Sequence, residues 1–74
     1  MRITVKLFGL HRVGRFTQEQ RDYPPGTSSR QVFVDIGISE EQPGIVLVDG
    51  RPTDLYQPLI DGNSLSLLPL VSGG

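Results

Sequence analysis

The most reactive feature that the sequence offers is an acyl group. Gly73 and Gly74 place a carboxylate beyond two residues that lack a Cβ, so the terminal carbon can be threaded through a channel too narrow for any side chain. A carboxylate is a poor electrophile until a good leaving group is attached to it, which requires an active site large enough for the activating nucleotide. The expectation is therefore that Gly74 is the reacting residue and that another protein activates it. The remaining polar residues suit ordinary structural work. His11, the one histidine, falls in a predicted turn and is expected to be solvated there, and Asp49 and Asp61 stand beside glycines, where turn hydrogen bonds account for them. Glu40 and Glu41 read as a solvated loop. Gly26, Gly37, Gly50 and Gly62 occur singly and build no phosphate loop, so a nucleotide is not expected to bind this chain.

Two terminal glycines alone could equally be a frayed end, and the elements before them decide between the readings. Ile3, Val5 and Leu7 alternate with polar residues, which predicts a strand over Arg2 to Gly9 with one buried face. Leu10 to Gly14 predicts a hairpin connection into a second, polar strand from Arg15 to Tyr23, whose apolar ends disagree in phase and indicate a bulge or an exposed edge. Pro24-Pro25-Gly26 stops it. Thr27, Ser28 or Ser29 then caps a helix in which Val32, Phe33 and Ile36 share a face, with Gly37 past its end. Its β-branched residues make it dependent on tertiary packing.

After Ile38 to Gly44 the run Ile45-Val46-Leu47-Val48 is apolar throughout and stops at Asp49-Gly50, as a central strand does. Pro52 and Pro58 predict an irregular stretch. Asp61-Gly62-Asn63 predicts a turn into a last strand over Leu65 to Leu68. Pro69 removes a ladder donor, so the chain is expected to leave the sheet there and continue as an extended tail. The order is β-β-α-β-β, one α+β domain over residues 1–74 with a tail at 70–74, its helix laid across one face of a small mixed sheet. Expected core residues are Ile3, Val5, Leu7, Val32, Phe33, Ile36, Val46, Val48, Leu65 and Leu67. By strand alternation Phe8, Ile45, Leu47, Leu68 and Leu70 then point outward, an apolar cluster beside the tail that a protein of this size has little reason to expose unless a partner covers it.

Composition removes several classes of function. With 74 residues and no cysteine, the fold must rest on burial alone, without disulfides or thiolate metal sites. The formal charge is -1, Lys6 is the only lysine and the arginines are scattered, so no basic stripe for nucleic acid is present. No apolar run approaches the ~20 residues of a membrane span, and a cytoplasmic location is expected.

Four patterns, in this order, resemble the ubiquitin-like sulfur carriers that include the small subunit of molybdopterin synthase and the thiamine-pathway carrier. They are Pro25-Gly26-Thr27, Val48-Asp49-Gly50-Arg51, Leu59-Ile60-Asp61-Gly62-Asn63, and Leu68-Pro69-Leu70-Val71-Ser72-Gly73-Gly74. The chain departs from the family at Asp49, where Asn is common, and at Asn63 and Ser64, where an acidic and an apolar residue are usual. The resemblance implies a β-grasp fold and a division of labour. A ubiquitin-activating-like adenylyltransferase would use ATP to adenylate the Gly74 carboxylate, which becomes a thiocarboxylate and donates sulfur to an acceptor such as the molybdopterin synthase large subunit. Leu70, Val71, Ser72 and Gly73 would thread into those enzymes, and Phe8, Ile45, Leu47 and Leu68 would dock them. No cofactor would be held stably. The tail looks closest to the molybdopterin branch. Sulfur delivery for thiamine, cysteine or thio-tRNA synthesis, isopeptide modification of lysines through Gly74, and a β-grasp interaction module with an idle tail are the alternatives.

Overall fold

The structure, a computed structural model, describes residues 1–38 and 44–69. Its centre is a parallel pair. Strand β1 (Arg2–Leu7) runs beside β5 (Ser64–Pro69), with Val5 opposite Leu65 and Leu7 opposite Leu67. These four side chains are buried and form the middle of the core with Ile3, Val32, Phe33, Ile38, Val46 and Leu59. A parallel pair cannot be closed by a tight turn, so the residues between β1 and β5 must cross over, and they carry the helix that covers the pair. Strand β2 (Gln18–Asp22) pairs antiparallel on the free side of β1, while β3 (Gly44–Val48) pairs antiparallel on the far side of β5 and β4 (Arg51–Pro52) closes that edge. The sheet order is β2-β1-β5-β3-β4. With one helix on one face, this is the β-grasp, ubiquitin-like arrangement.

Helix α1 (Ser29–Ile36) starts at Ser28, whose hydroxyl accepts from the Gln31 amide while the Gln31 side chain accepts from the Ser28 amide. That reciprocal pair satisfies two donors that the first turn would otherwise leave open. Gly37 ends the helix in the left-handed conformation expected of it, with φ at 94°. Val32 and Phe33 are buried under the helix, and Ile36 is half-buried. The N-terminal end of α1 is tied to the loop before β5, because Arg30 donates to the Leu55 carbonyl and Leu59 donates to that of Thr27. At the other end Arg21 and the Tyr23 hydroxyl both reach Asp35, which fastens α1 over β2. Burial pushes the Tyr23 phenol above its ordinary range.

Several expectations need correction. β4 was not foreseen; it is two residues long and holds Pro52, which an edge strand tolerates because its missing donor would face solvent. β2 is shorter than the expected Arg15 to Tyr23, and the conflicting phase of its apolar ends has a simple cause: Phe16 precedes the strand and packs on the core from a turn. Ile36 and Val48 lie at the core's margin, while Ile38 and Leu59 fill positions assigned to loops. Glu40 and Glu41 lie outside the described residues. Among the described residues no helix is long and apolar enough to cross a membrane, and no group of three His, Cys, Asp or Glu side chains could hold a metal ion.

The two turns marked by the sequence patterns meet in space. Asp49 accepts from the Ser64 amide with one carboxylate oxygen (2.8 Å) and from the Asn63 side-chain amide with the other (2.7 Å). Asn63, which is buried, in turn accepts from the Ile60 amide at 2.7 Å. Asp49 and Asn63 are also among the positions at which the sequence departs from the patterns it resembles. One direct bond links them, so swapping the two residues would exchange donor and acceptor across it. Changing Asn63→Asp alone should cost about 1–3 kcal/mol, since it sets two carboxylates against each other. The D49N/N63D double variant should recover most of that loss in urea unfolding, because the bond is remade in the opposite sense.

Candidate functional site

Along β1 and β5, Ile3, Val5, Leu7, Leu65 and Leu67 turn toward α1, so the residues between them must face the open side of the sheet. On that side Ile45 stands directly opposite Leu68, and Leu47 stands between Ser66 and Pro52. The Phe8 amide donates to the Leu67 carbonyl at 3.2 Å, which extends the β1–β5 ladder and brings Phe8 level with Leu68. Phe8 and Ile45 are 42% and 43% exposed, and Leu47 and Leu68 are half-buried. Of the apolar set expected from strand alternation, Phe8, Ile45, Leu47 and Leu68 therefore form one cluster at the Pro69 end of the described sheet, and Leu70 lies outside the described residues. Elsewhere the open face carries Thr4, Lys6, Gln18, Gln20, Ser64 and Ser66. The division is sharp along β5 itself, where Ser64 and Ser66 give way to Leu68.

Pro69 pairs opposite Gly44 as the last described residue of β5; the expected departure of the chain after it falls on residues outside the described ones. What holds it there was not anticipated. The chain after Phe8 coils into a short 3₁₀ turn, Gly9–Arg12, which packs against the end of β5. Gly9 has φ at 59°, and a Cβ added to it would lie 2.6 Å from Cγ of Pro69. The proline ring occupies the space that any side chain at position 9 would need. Gly44 is confined in the same way, since a Cβ there would meet Leu67 Cδ1 at 2.7 Å and the Leu68 carbonyl at 3.0 Å. Two glycines, one on each side of β5, thus let the backbone close around the root of the tail.

His11 belongs to this root. It was expected to be a solvated turn residue; it is 5% exposed, because the 3₁₀ turn folds it under the sheet beside Gly44. Arg15 bridges the turn to the helix end, donating to the carbonyls of His11 (3.1 Å) and Gly37 (2.8 Å). Asp49 and Asp61 stand in turns, as read from their glycine neighbours, but their carboxylates bond distant segments in place of their own turns: Asp49 accepts from Asn63 and Ser64, and Asp61 from the Arg2 amide. Leu70, Val71, Ser72, Gly73 and Gly74 lie outside the described residues. Gly9 and Gly44 were missed although their positions carry a signal: each sits at the boundary of an apolar strand, where close backbone approach is a common reason for glycine.

No family model matches the chain, and no curated protein matches it. Solved structures do. The small archaeal modifier protein 1 of Haloferax volcanii superposes with a TM-score of 0.76 at 20% identity, over 100% of both chains. A protein of Pyrococcus furiosus, provisionally described as molybdopterin converting factor subunit 1, gives 0.76 at 23% identity over 96% of this chain and 99% of its own. A chain from the complex of molybdopterin-converting factor subunits 1 and 2 of Helicobacter pylori gives 0.70 at 22%, over 100% of both. The likeness is one of fold. It extends over nearly the whole length of these chains.

The packing at the root makes a specific expectation. Gly9→Ala adds a Cβ into the Pro69 ring and strains a left-handed residue, whereas Gly14→Ala, with φ at 72° and nothing within 4 Å, suffers the strain alone. Gly14→Ala should cost about 1 kcal/mol and Gly9→Ala clearly more, about 2–4 kcal/mol, in equilibrium unfolding. Amide exchange in the Gly9→Ala protein should quicken first at Leu67 and Leu68.

Proposed function

We propose that this chain is a sulfur carrier: the Gly74 carboxylate is adenylated by a partner enzyme, converted to a thiocarboxylate, and used to deliver sulfur in cofactor synthesis. The observation that carries the reading is the apolar cluster of Phe8, Ile45, Leu47 and Leu68 on the open face, gathered at the end of the sheet marked by Pro69, after which the sequence runs on to Gly73 and Gly74. A partner that covers this cluster receives the tail beside it. The fold shared with two molybdopterin converting factor subunits, one of them solved together with its second subunit, supports a synthase large subunit as the sulfur acceptor and molybdopterin as the first destination.

In this scheme the carrier supplies the acyl group and its address and performs no catalysis itself. The adenylating partner binds ATP, forms the bond between the Gly74 carboxylate and the nucleotide's α-phosphate, and releases pyrophosphate. Sulfide then attacks the acyl carbon and displaces AMP, leaving sulfur in place of one oxygen; a persulfide would first give an acyl disulfide, which a second thiol must cleave to free the same thiocarboxylate. Glycine at positions 73 and 74 keeps the acyl carbon accessible throughout, since a Cβ at either would narrow the approach. A second reading is protein modification, in which the amine of a lysine attacks the same adenylate; the fold shared with an archaeal modifier protein favours it.

Intact-mass measurement of the chain purified together with its host's activating enzyme distinguishes these outcomes. Replacement of one oxygen by sulfur at Gly74 is expected, and removal of Gly74 should abolish it. Adducts to lysines of other proteins would select modification instead, and an unchanged carboxylate beside an active adenylating enzyme would refute both.

A further inference from the structure

The apolar cluster and the tail root use the β5–β3 half of the sheet, leaving β2 at the opposite edge without a role. In β1 and β2 the odd-numbered residues exchange backbone hydrogen bonds: Leu7 donates to Thr17 at 2.9 Å, and Tyr23 donates to Met1 at 2.9 Å. The N–H and C=O groups of Gln18, Gln20 and Asp22 therefore point away from β1, in the plane of the sheet, with no strand beyond them among the described residues. Such an edge is a template for another strand, and its charges determine which one fits.

Those charges alternate in sign about a central neutral residue. Glu19 and Arg21 turn toward the helix side, where Arg21 lies 3.6 Å from Glu19 and 2.9 Å from Asp35. Gln18, Gln20 and Asp22 turn toward the open side. If a second copy of β2 pairs antiparallel with Gln20 opposite Gln20, then Glu19 faces Arg21 and Gln18 faces Asp22, each twice by symmetry. All three hydrogen-bonding positions, Gln18, Gln20 and Asp22, meet residues whose own donors also point outward, so the ladder is in phase. A parallel pairing would set Glu19 beside Glu19 and Arg21 beside Arg21. The edge is complementary to itself in one direction only.

We propose that β2 is a self-association edge, through which two copies of this chain join antiparallel about Gln20 into one continuous sheet. The two-fold axis is perpendicular to the sheet, so both helices lie on one side and both apolar clusters on the other, uncovered. Because the axis reverses strand direction, the two tail roots leave from opposite ends of the joined sheet, and each carrier can still meet its own partner. The ladder is short and its ion pairs are solvated, so the dimer is weak, with a Kd on the order of 0.1–1 mM.

Sedimentation equilibrium up to about 1 mM tests the association, and amide exchange locates it. Dimerisation with slowed exchange at Gln18, Gln20 and Asp22 is expected. Arg21→Glu or Glu19→Arg alone should weaken association about tenfold or more, and the E19R/R21E pair should restore it to within about threefold. Arg21 also holds Asp35, so a second variant guards against misfolding: Gln20→Pro removes an outward donor, leaves the β1 ladder intact, and should likewise abolish the dimer. A chain that stays monomeric at 1 mM, a double variant that folds without regaining association, or protection mapping to Ile45 and Leu68 instead would each overturn the proposal.

Discussion

The structure depends on the parallel pairing of β1 with β5. These strands come from opposite ends of the described chain, and their facing residues Val5, Leu65, Leu7 and Leu67 are almost wholly removed from water. Long-range pairing of this kind costs loop-closure entropy before any contact is made, so burial must offset it. Once it forms, the remaining arrangement is narrowly constrained. β2 has only the free side of β1, β3 has only the free side of β5, and the crossover between them must cover the inner face.

The same pairing sets what meets at the end of β5. β5 runs parallel to β1 through Leu67, opposite Leu7, and the ring of Pro69 packs on Gly9 just after β1 has turned away. A residue that cannot donate to a ladder and another that has no side chain to obstruct it come together there. On the open face the last outward residue of β5 is Leu68, beside Ile45 and level with Phe8, while earlier outward residues are serines. Position along β5 thus separates a solvated part of the face from a part with unsatisfied apolar surface. The proposed carrier role uses that placement directly, because docking and threading then occur at one end of the molecule.

Much of this was legible in the residues. Alternation in Arg2–Leu7 and the unbroken run at Ile45–Val48 identified the strands and their faces, since a period of two leaves little freedom once one face is apolar. Ser28, one of three candidate caps, and Gly37 bracketed the helix through capping chemistry that operates locally. The features that were not legible depend on distant neighbours. Ile38 and Leu59 lie in stretches without an apolar period, and only their packing into the core cluster that holds Val32 and Phe33 explains their burial. His11 resembles any turn histidine until the 3₁₀ turn folds it beside Gly44. Gly9 and Gly44 matter through contacts with Pro69 and Leu67, partners tens of residues away. Asp49 and Asn63 likewise look like two unrelated turn residues until the bond between them is seen.

The account's central claim is that the open face and the tail function as one device, the face addressing a carboxylate that another protein activates. Its most direct test is exchange of labelled pyrophosphate into ATP by the host's adenylating enzyme, which requires reversible formation of the acyl-adenylate at Gly74. Ile45→Asp places a charge in the apolar cluster at an exposed position, leaving core and tail untouched. Exchange driven by the natural chain and reduced about tenfold or more by Ile45→Asp, with unfolding stability unchanged, is the predicted result. Undiminished exchange with the Ile45→Asp chain would contradict the claim, since the tail would then be recognised without its face.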